Sequence, residues 1–73
     1  MSEISQARSN LDSLNNTFNN LTKGTMEWKS ALIDVNQGVL DLIQKYPSLS
    51  KYATMGSSGE LKISDEGWNE LLE

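Results

Sequence analysis

The chain has 73 residues, no cysteine, no histidine and a formal net charge of −4. That length makes one small domain or a piece of one, and such a core rarely supplies more than about 3–5 kcal/mol. Without Cys there is no disulfide or thiolate metal site, and without His the usual general base and commonest metal ligand are missing.

The charge is unevenly placed. Residues 47–73 set Lys51 and Lys62 against Glu60, Asp65, Glu66, Glu70 and Glu73, whereas residues 1–24 balance Arg8 and Lys23 against Glu3 and Asp12. No basic stripe offers a footprint for nucleic acid. No run of about 18 apolar residues is present to span a membrane. The start, Met1-Ser2-Glu3-Ile4-Ser5, lacks the basic and apolar regions of a signal peptide.

An apolar spacing runs through the first two-thirds of the chain. Ile4, Ala7, Leu11, Leu14, Phe18 and Leu21 alternate steps of three and four. Beyond the polar Thr25, Trp28, Leu32, Val35, Val39, Leu42 and Tyr46 continue in phase. This is the pattern of helices packed along their length. The first helix is expected over 2–22, with Ser2 as N-cap and Glu3 in the favourable first turn. Its other faces carry many Asn and Ser residues, poor helix formers, so the packed stripe must sustain it.

Thr22-Lys23-Gly24-Thr25 is the expected break. Gly24 suits a left-handed position after a helix, and Thr25 can cap the next one. The shared phase also fits one uninterrupted helix; the glycine is weighed more heavily, and a helical hairpin is expected. The second helix is expected over 26–46, ended by Pro47. Its apolar surface is broader than a narrow seam, adding Ala31, Ile33, Leu40 and Ile43, which predicts packing against more than one neighbour.

After Pro47 the period changes. Pro47 to Tyr52 reads as a short helical turn begun by the proline. The runs around Gly56-Ser57-Ser58-Gly59 predict a β-hairpin over 52–63, with Leu61 and Ile63 inward and Glu60 and Lys62 outward. A last helix is expected over 65–73, capped by Ser64, with Ile63 and Trp68 at the spacing of a hydrophobic staple. Trp68, Leu71 and Leu72 share a face. So short a helix stopping after Leu-Leu reads as an excerpt of a longer protein.

The constellations that resemble chemistry fail on inspection. Asp34-Val35-Asn36-Gln37-Gly38 misses a calcium loop, because the glycine falls one position early and Lys45 stands where a bidentate Glu belongs. Asp34 and Asp41 lie roughly 10 Å apart along one helix face, a separation a glycosidase pair can have. Nothing supplies a cleft, however, and Asp41 is placed to pair with Lys45 four residues on. The Gly56–Gly59 loop lacks the Lys and Ser/Thr of a phosphate loop. Trp28, Trp68, Tyr46, Tyr52 and Phe18 sit on apolar faces and read as packing mass. The glycosylation sequons at Asn15 and Asn20 fall on a helix, without a secretion signal, and are discounted.

One family resemblance is carried by specific residues. Trp28, Asn36, the run Leu42-Ile43-Gln44-Lys45-Tyr46-Pro47-Ser48-Leu49, Tyr52, and Gly59-Glu60-Leu61-Lys62-Ile63-Ser64-Asp65-Glu66-Gly67 are similar to a recurrent segment of phage-tail tape-measure-type proteins of Gram-positive bacteria and their prophages. The likeness covers about two-thirds of the chain, and its motifs are structural; residues 1–24 match only as generic helix. The resemblance implies a very long, mostly helical parent that sets tail length, assembles with tail-tube and chaperone proteins, and can leave the tail at infection. It implies a place in the bacterial cytoplasm during assembly and in the virion tail afterwards. It carries over no catalytic or ligand-binding residue.

The sequence is therefore read as a mainly α (α+β) single module: an antiparallel helical hairpin, a short β-hairpin and a short third helix. Packing and interaction are assigned to Leu11, Leu14, Phe18, Trp28, Leu32, Val35, Val39, Leu42, Tyr46 and Trp68. No catalytic, cofactor or metal role is expected. The expected partners are proteins: the rest of a parent chain, tail proteins or a second copy. The alternative is a small secreted helical hairpin of the W-x-G type, which places Trp and Gly in the turn. Here Gly24 precedes Trp28 by four residues, in reversed order. An enzyme or regulatory subunit is disfavoured by the missing His and Cys.

Overall fold

Two long helices lie against each other; the 3₁₀ turn and second strand that follow pack on the second, and the last helix packs on the first helix and the 3₁₀ turn. The computed structural model describes residues 3–72, the last in its backbone alone. Helix α1 spans Glu3–Asn20 and α2 spans Met26–Lys45. A 3₁₀ turn covers Pro47–Tyr52, strands β1 (Ala53–Met55) and β2 (Leu61–Ile63) pair antiparallel, and α3 covers Asp65–Leu72. This is the mainly α architecture expected, a helical hairpin followed by a β-hairpin and a third helix. Ser2 and Glu73 lie outside the described residues.

Gly24 decides the question between one helix and two. Its φ is +91°, a left-handed conformation that L side chains rarely adopt. The chain tightens just before it, where the Leu21 N–H donates to the Phe18 carbonyl at 3.2 Å, so α1 ends at Asn20 rather than at 22. Thr25 then opens α2: its Oγ1 accepts from the Trp28 N–H at 3.2 Å. At the other end Tyr46 is the C-cap, its N–H donating to the Leu42 carbonyl at 2.7 Å, and Pro47 begins the 3₁₀ turn.

The apolar stripe resolves into two clusters on the inner face of α2. Toward the hairpin turn, Phe18, Ala31 and Val35 are buried with Leu14, Leu21, Trp28 and Leu32 against them. The Phe18 and Trp28 rings lie 5.3 Å apart and tilted by 30°. Toward the other end, Leu11, Val39, Leu49, Ile63 and Trp68 form the larger cluster, joined by Leu42, Ile43, Tyr46 and Tyr52. Leu14 touches both. Val35 and Val39 are 0% exposed, one at the heart of each cluster. The breadth expected of α2 is only partly used for packing: Ala31 and Ile43 face inward, but Ile33 and Leu40 stand exposed.

The β-hairpin is shorter than expected and differently turned. Tyr52 closes the 3₁₀ turn instead of opening a strand, although its carbonyl still accepts from the Ser64 N–H at 3.1 Å. Gly56 N–H donates to the Glu60 carbonyl at 2.8 Å, and Gly59 N–H returns to the Gly56 carbonyl at 3.1 Å. With Gly59 at φ +87°, this is a three-residue loop closed by a left-handed glycine. Glu60 therefore lies opposite Gly56 at the base of the loop, just before β2. The expectation that it points outward is corrected: it is 7% exposed, and its carboxylate folds over Gly56 and accepts from the Ser58 N–H at 3.1 Å.

One polar side chain fixes the hairpin to α2. Asn36 Oδ1 accepts from the Leu61 N–H at 2.8 Å, and its Nδ2 donates to the Gly59 carbonyl at 3.3 Å. The side-chain amide thus engages the donor and acceptor on either side of Glu60, as a neighbouring strand would. Helix α3 packs on α1 and the 3₁₀ turn. A Cβ at Gly67 would stand 2.8 Å from Tyr52 Cβ, so only glycine permits that contact.

Two mutational outcomes follow. Trp68→Ala should cost about 3–5 kcal/mol and Val35→Ala about 2 kcal/mol, because the indole buries far more area. A Trp68→Ala variant that melts at or above the temperature of Val35→Ala would contradict the packing of α3 on the core. Asn36→Asp keeps the acceptor for Leu61 but sets a carboxylate against the Gly59 carbonyl. It should lower stability by about 1–3 kcal/mol in urea titrations, and an unchanged midpoint would refute the two-bond clamp.

Candidate functional site

The ten residues assigned to packing fall inside the two clusters. Leu11, Val39 and Trp68 are buried in the larger one, with Leu42 and Tyr46 half-buried on it. Phe18 and Val35 are buried in the smaller, with Trp28 and Leu32 against them, and Leu14 lies between. These residues hold the fold together and leave little of themselves for a partner.

The constellations weighed for chemistry are dispersed. Asp41 accepts from Gln37 Nε2 at 2.9 Å, and Lys45 pairs with Glu3 across the helical hairpin rather than with Asp41. The Gly56–Gly59 loop has its anion already, since the Glu60 carboxylate occupies the Ser58 amide. Among the described residues no group of three or more Asp or Glu side chains is placed to hold a metal ion. No helix among them is long and apolar enough to cross a membrane.

Apart from Met55 on β1, the large apolar side chains left exposed among the described residues lie on the outer face of α2. Met26, Ile33 and Leu40 are 82%, 67% and 48% exposed. They are seven residues apart, so they form one row about 21 Å long. Glu27, Asp34 and Asp41, all exposed, repeat the same spacing one residue on and flank that row along one side. The other flank carries a single cation, Lys29. Beside the N-terminal half of the acidic row is an open groove of about 550 Å³, with Leu21, Met26 and Ala31 as apolar lining and Glu27 and Asp34 at its polar margin. Ile33 and Leu40 belong to the excess apolar width of α2, which the sequence predicts to be packed; Met26 is not part of that predicted width. The row's acidic companion shows itself only when positions 27, 34 and 41 are counted together.

A second polar group sits where α3 meets the 3₁₀ turn. The Tyr52 hydroxyl donates to Glu70 Oε2, and Lys51 Nζ lies 3.9 Å from the same oxygen. The hydrogen bond to the Glu70 carboxylate, then burial, then the negative charges of Glu70 and Glu66 hold the Tyr52 pKa above its ordinary value of 10.0. At the opposite edge of α3, Arg8 bonds Asp65 at 3.1 Å and lies 5.8 Å from the Trp68 ring centroid. These contacts tie α3 down at both ends.

The tyrosine provides a pH test. Because folding raises its pKa, the stability it contributes is complete below pH 10 and is lost as pH rises through the higher folded value. Alkaline titration of phenolate absorbance should show one tyrosine ionising late, and Glu70→Gln should bring it back toward the ordinary value. A titration unchanged by Glu70→Gln would contradict the contact.

Set beside known proteins, the chain matches no family model, no curated protein and no solved structure.

Proposed function

We propose that the chain is a structural and assembly module that works by helix packing and carries out no catalysis. The observation that carries this reading is the division of α2 into a fully packed inner face and a long apolar row left open on its outer face. Apolar rows of this length, rimmed by charge, are the ordinary means by which helical proteins meet one another.

The finer reading is a segment of a phage-tail tape-measure-type protein. It is supported by the resemblance over residues 28–72 and by the work those residues do. Asn36 clamps the hairpin, Tyr46 and Pro47 end α2, Leu49 and Ile63 fill the core, and Gly67 lets α3 approach Tyr52. A motif with so many residues spent on structure suits a long protein that acts as a ruler and scaffold. The W-x-G alternative needs Trp and Gly within the turn, whereas Trp28 lies inside α2 and packs on Phe18.

An antibody raised against the chain should label tails in virions induced from the host, and the gene should lie among tail-tube and tail-assembly chaperone genes. A position beside secretion ATPase genes, with no labelling of tails, would overturn the tail assignment in favour of the secreted hairpin.

A further inference from the structure

The outer face of α2 has a sign as well as an apolar row, and the sign selects its occupant. Met26, Ile33 and Leu40 are open to solvent, and Glu27, Asp34 and Asp41 run beside them at the same seven-residue spacing. Neither Glu27 nor Asp34 is paired with a cation among the described residues, whose ion pairs are made by Glu3, Glu60, Asp65 and Glu70. The groove beside them has apolar lining from Leu21, Met26 and Ala31 and two carboxylates at its margin. That is a place for a side chain with an aliphatic stem and a cationic head, which describes Lys and Arg.

Helix-to-helix pairing with a second copy of the chain does not supply this. Paired antiparallel about a twofold axis, the acidic row of α2 meets its own copy and repels it. Paired parallel, three acids face a flank whose one cation is Lys29. Helix α1 offers only Arg8, already engaged with Asp65, and α3 has no cation. An anionic lipid surface is repelled by the same three acids.

We propose that the outer face of α2 docks a helix of a separate protein segment that carries an apolar row with lysines or arginines beside it. The proposal rests on the reading that this module works by helix packing, and it adds the chemistry of the partner. The partner's apolar residues cover Met26, Ile33 and Leu40. Its cations meet Glu27, Asp34 and Asp41, with at least one stem lying in the groove.

The test uses the intact chain and two synthetic four-heptad peptides with the same leucine row, one flanked by Lys and the other by Gln. By calorimetry at low salt, the Lys peptide should bind about tenfold more tightly than the Gln peptide, and that advantage should fade in high salt. The triple variant Glu27→Gln, Asp34→Asn, Asp41→Asn should melt as the parent does and lose the preference. Ile33→Ser should weaken both peptides. Equal binding of the two peptides would overturn the charge assignment while leaving the packing reading intact. Failure of both peptides to bind would also overturn the proposal. In that case a dimer in sedimentation would keep the packing reading with a second copy as occupant, and a monomer would remove both.

Discussion

The structure depends on one constraint: a chain of this size, with no disulfide available, must gather most of its packing on a single helix. Helix α2 meets that constraint with a continuous inner face. Val35 and Val39, four residues apart on it, are completely excluded from solvent, one inside each apolar cluster. Helix α1, the 3₁₀ turn and β2 each pack directly on α2, and α3 completes the larger cluster by packing on α1 and the 3₁₀ turn. Burial of a large apolar side chain is worth roughly 1.5–3 kcal/mol. Losing either end of the face therefore removes a large fraction of what holds so small a domain together.

Apolar packing alone does not say where a two-stranded hairpin should sit, because burial is not directional. Asn36 supplies the direction. By bonding the Gly59 carbonyl and the Leu61 N–H it sets the hairpin at one register on α2, with Ile63 turned into the core and Lys62 out. Arg8 and Tyr52 do the same for α3 through Asp65 and Glu70. These polar contacts are modest singly, and their use is to choose one arrangement among several of similar apolar burial. The result is a module in which the inner face of α2 is spent on packing and its outer face is left open to solvent.

Much of the fold was legible because its signals are local. The apolar spacing gave α1 and α2, and Gly24 marked the break even though the phase runs through it, since a left-handed residue ends a helix whatever the pattern beyond. The proline marked the end of α2 for the same kind of reason. Strict alternation sets Glu60 outward only if β2 begins one residue earlier than it does. The three-residue turn closed by Gly59 puts Glu60 opposite Gly56 and brings its carboxylate to the Ser58 amide. Helical spacing sets Lys45 beside Asp41, whereas the tertiary fold brings Glu3 within its reach. Asn36 enters the sequence reading through a failed calcium-loop pattern and the resemblance, not as a clamp, because nothing local says that an amide on a helix will act as a strand. On the candidate site, the sequence showed that α2 is too broadly apolar for one seam. Which of those residues would be left exposed depended on where the hairpin settled.

Native-state amide hydrogen exchange, read residue by residue, addresses the central claim most directly. If α2 is the common support and Asn36 locks the hairpin to it, the amides around Val35 and Val39 exchange most slowly of all. The Leu61 amide then exchanges with them, only when the whole domain unfolds. A Leu61 amide that exchanges as fast as an exposed loop while α2 stays protected would contradict the account.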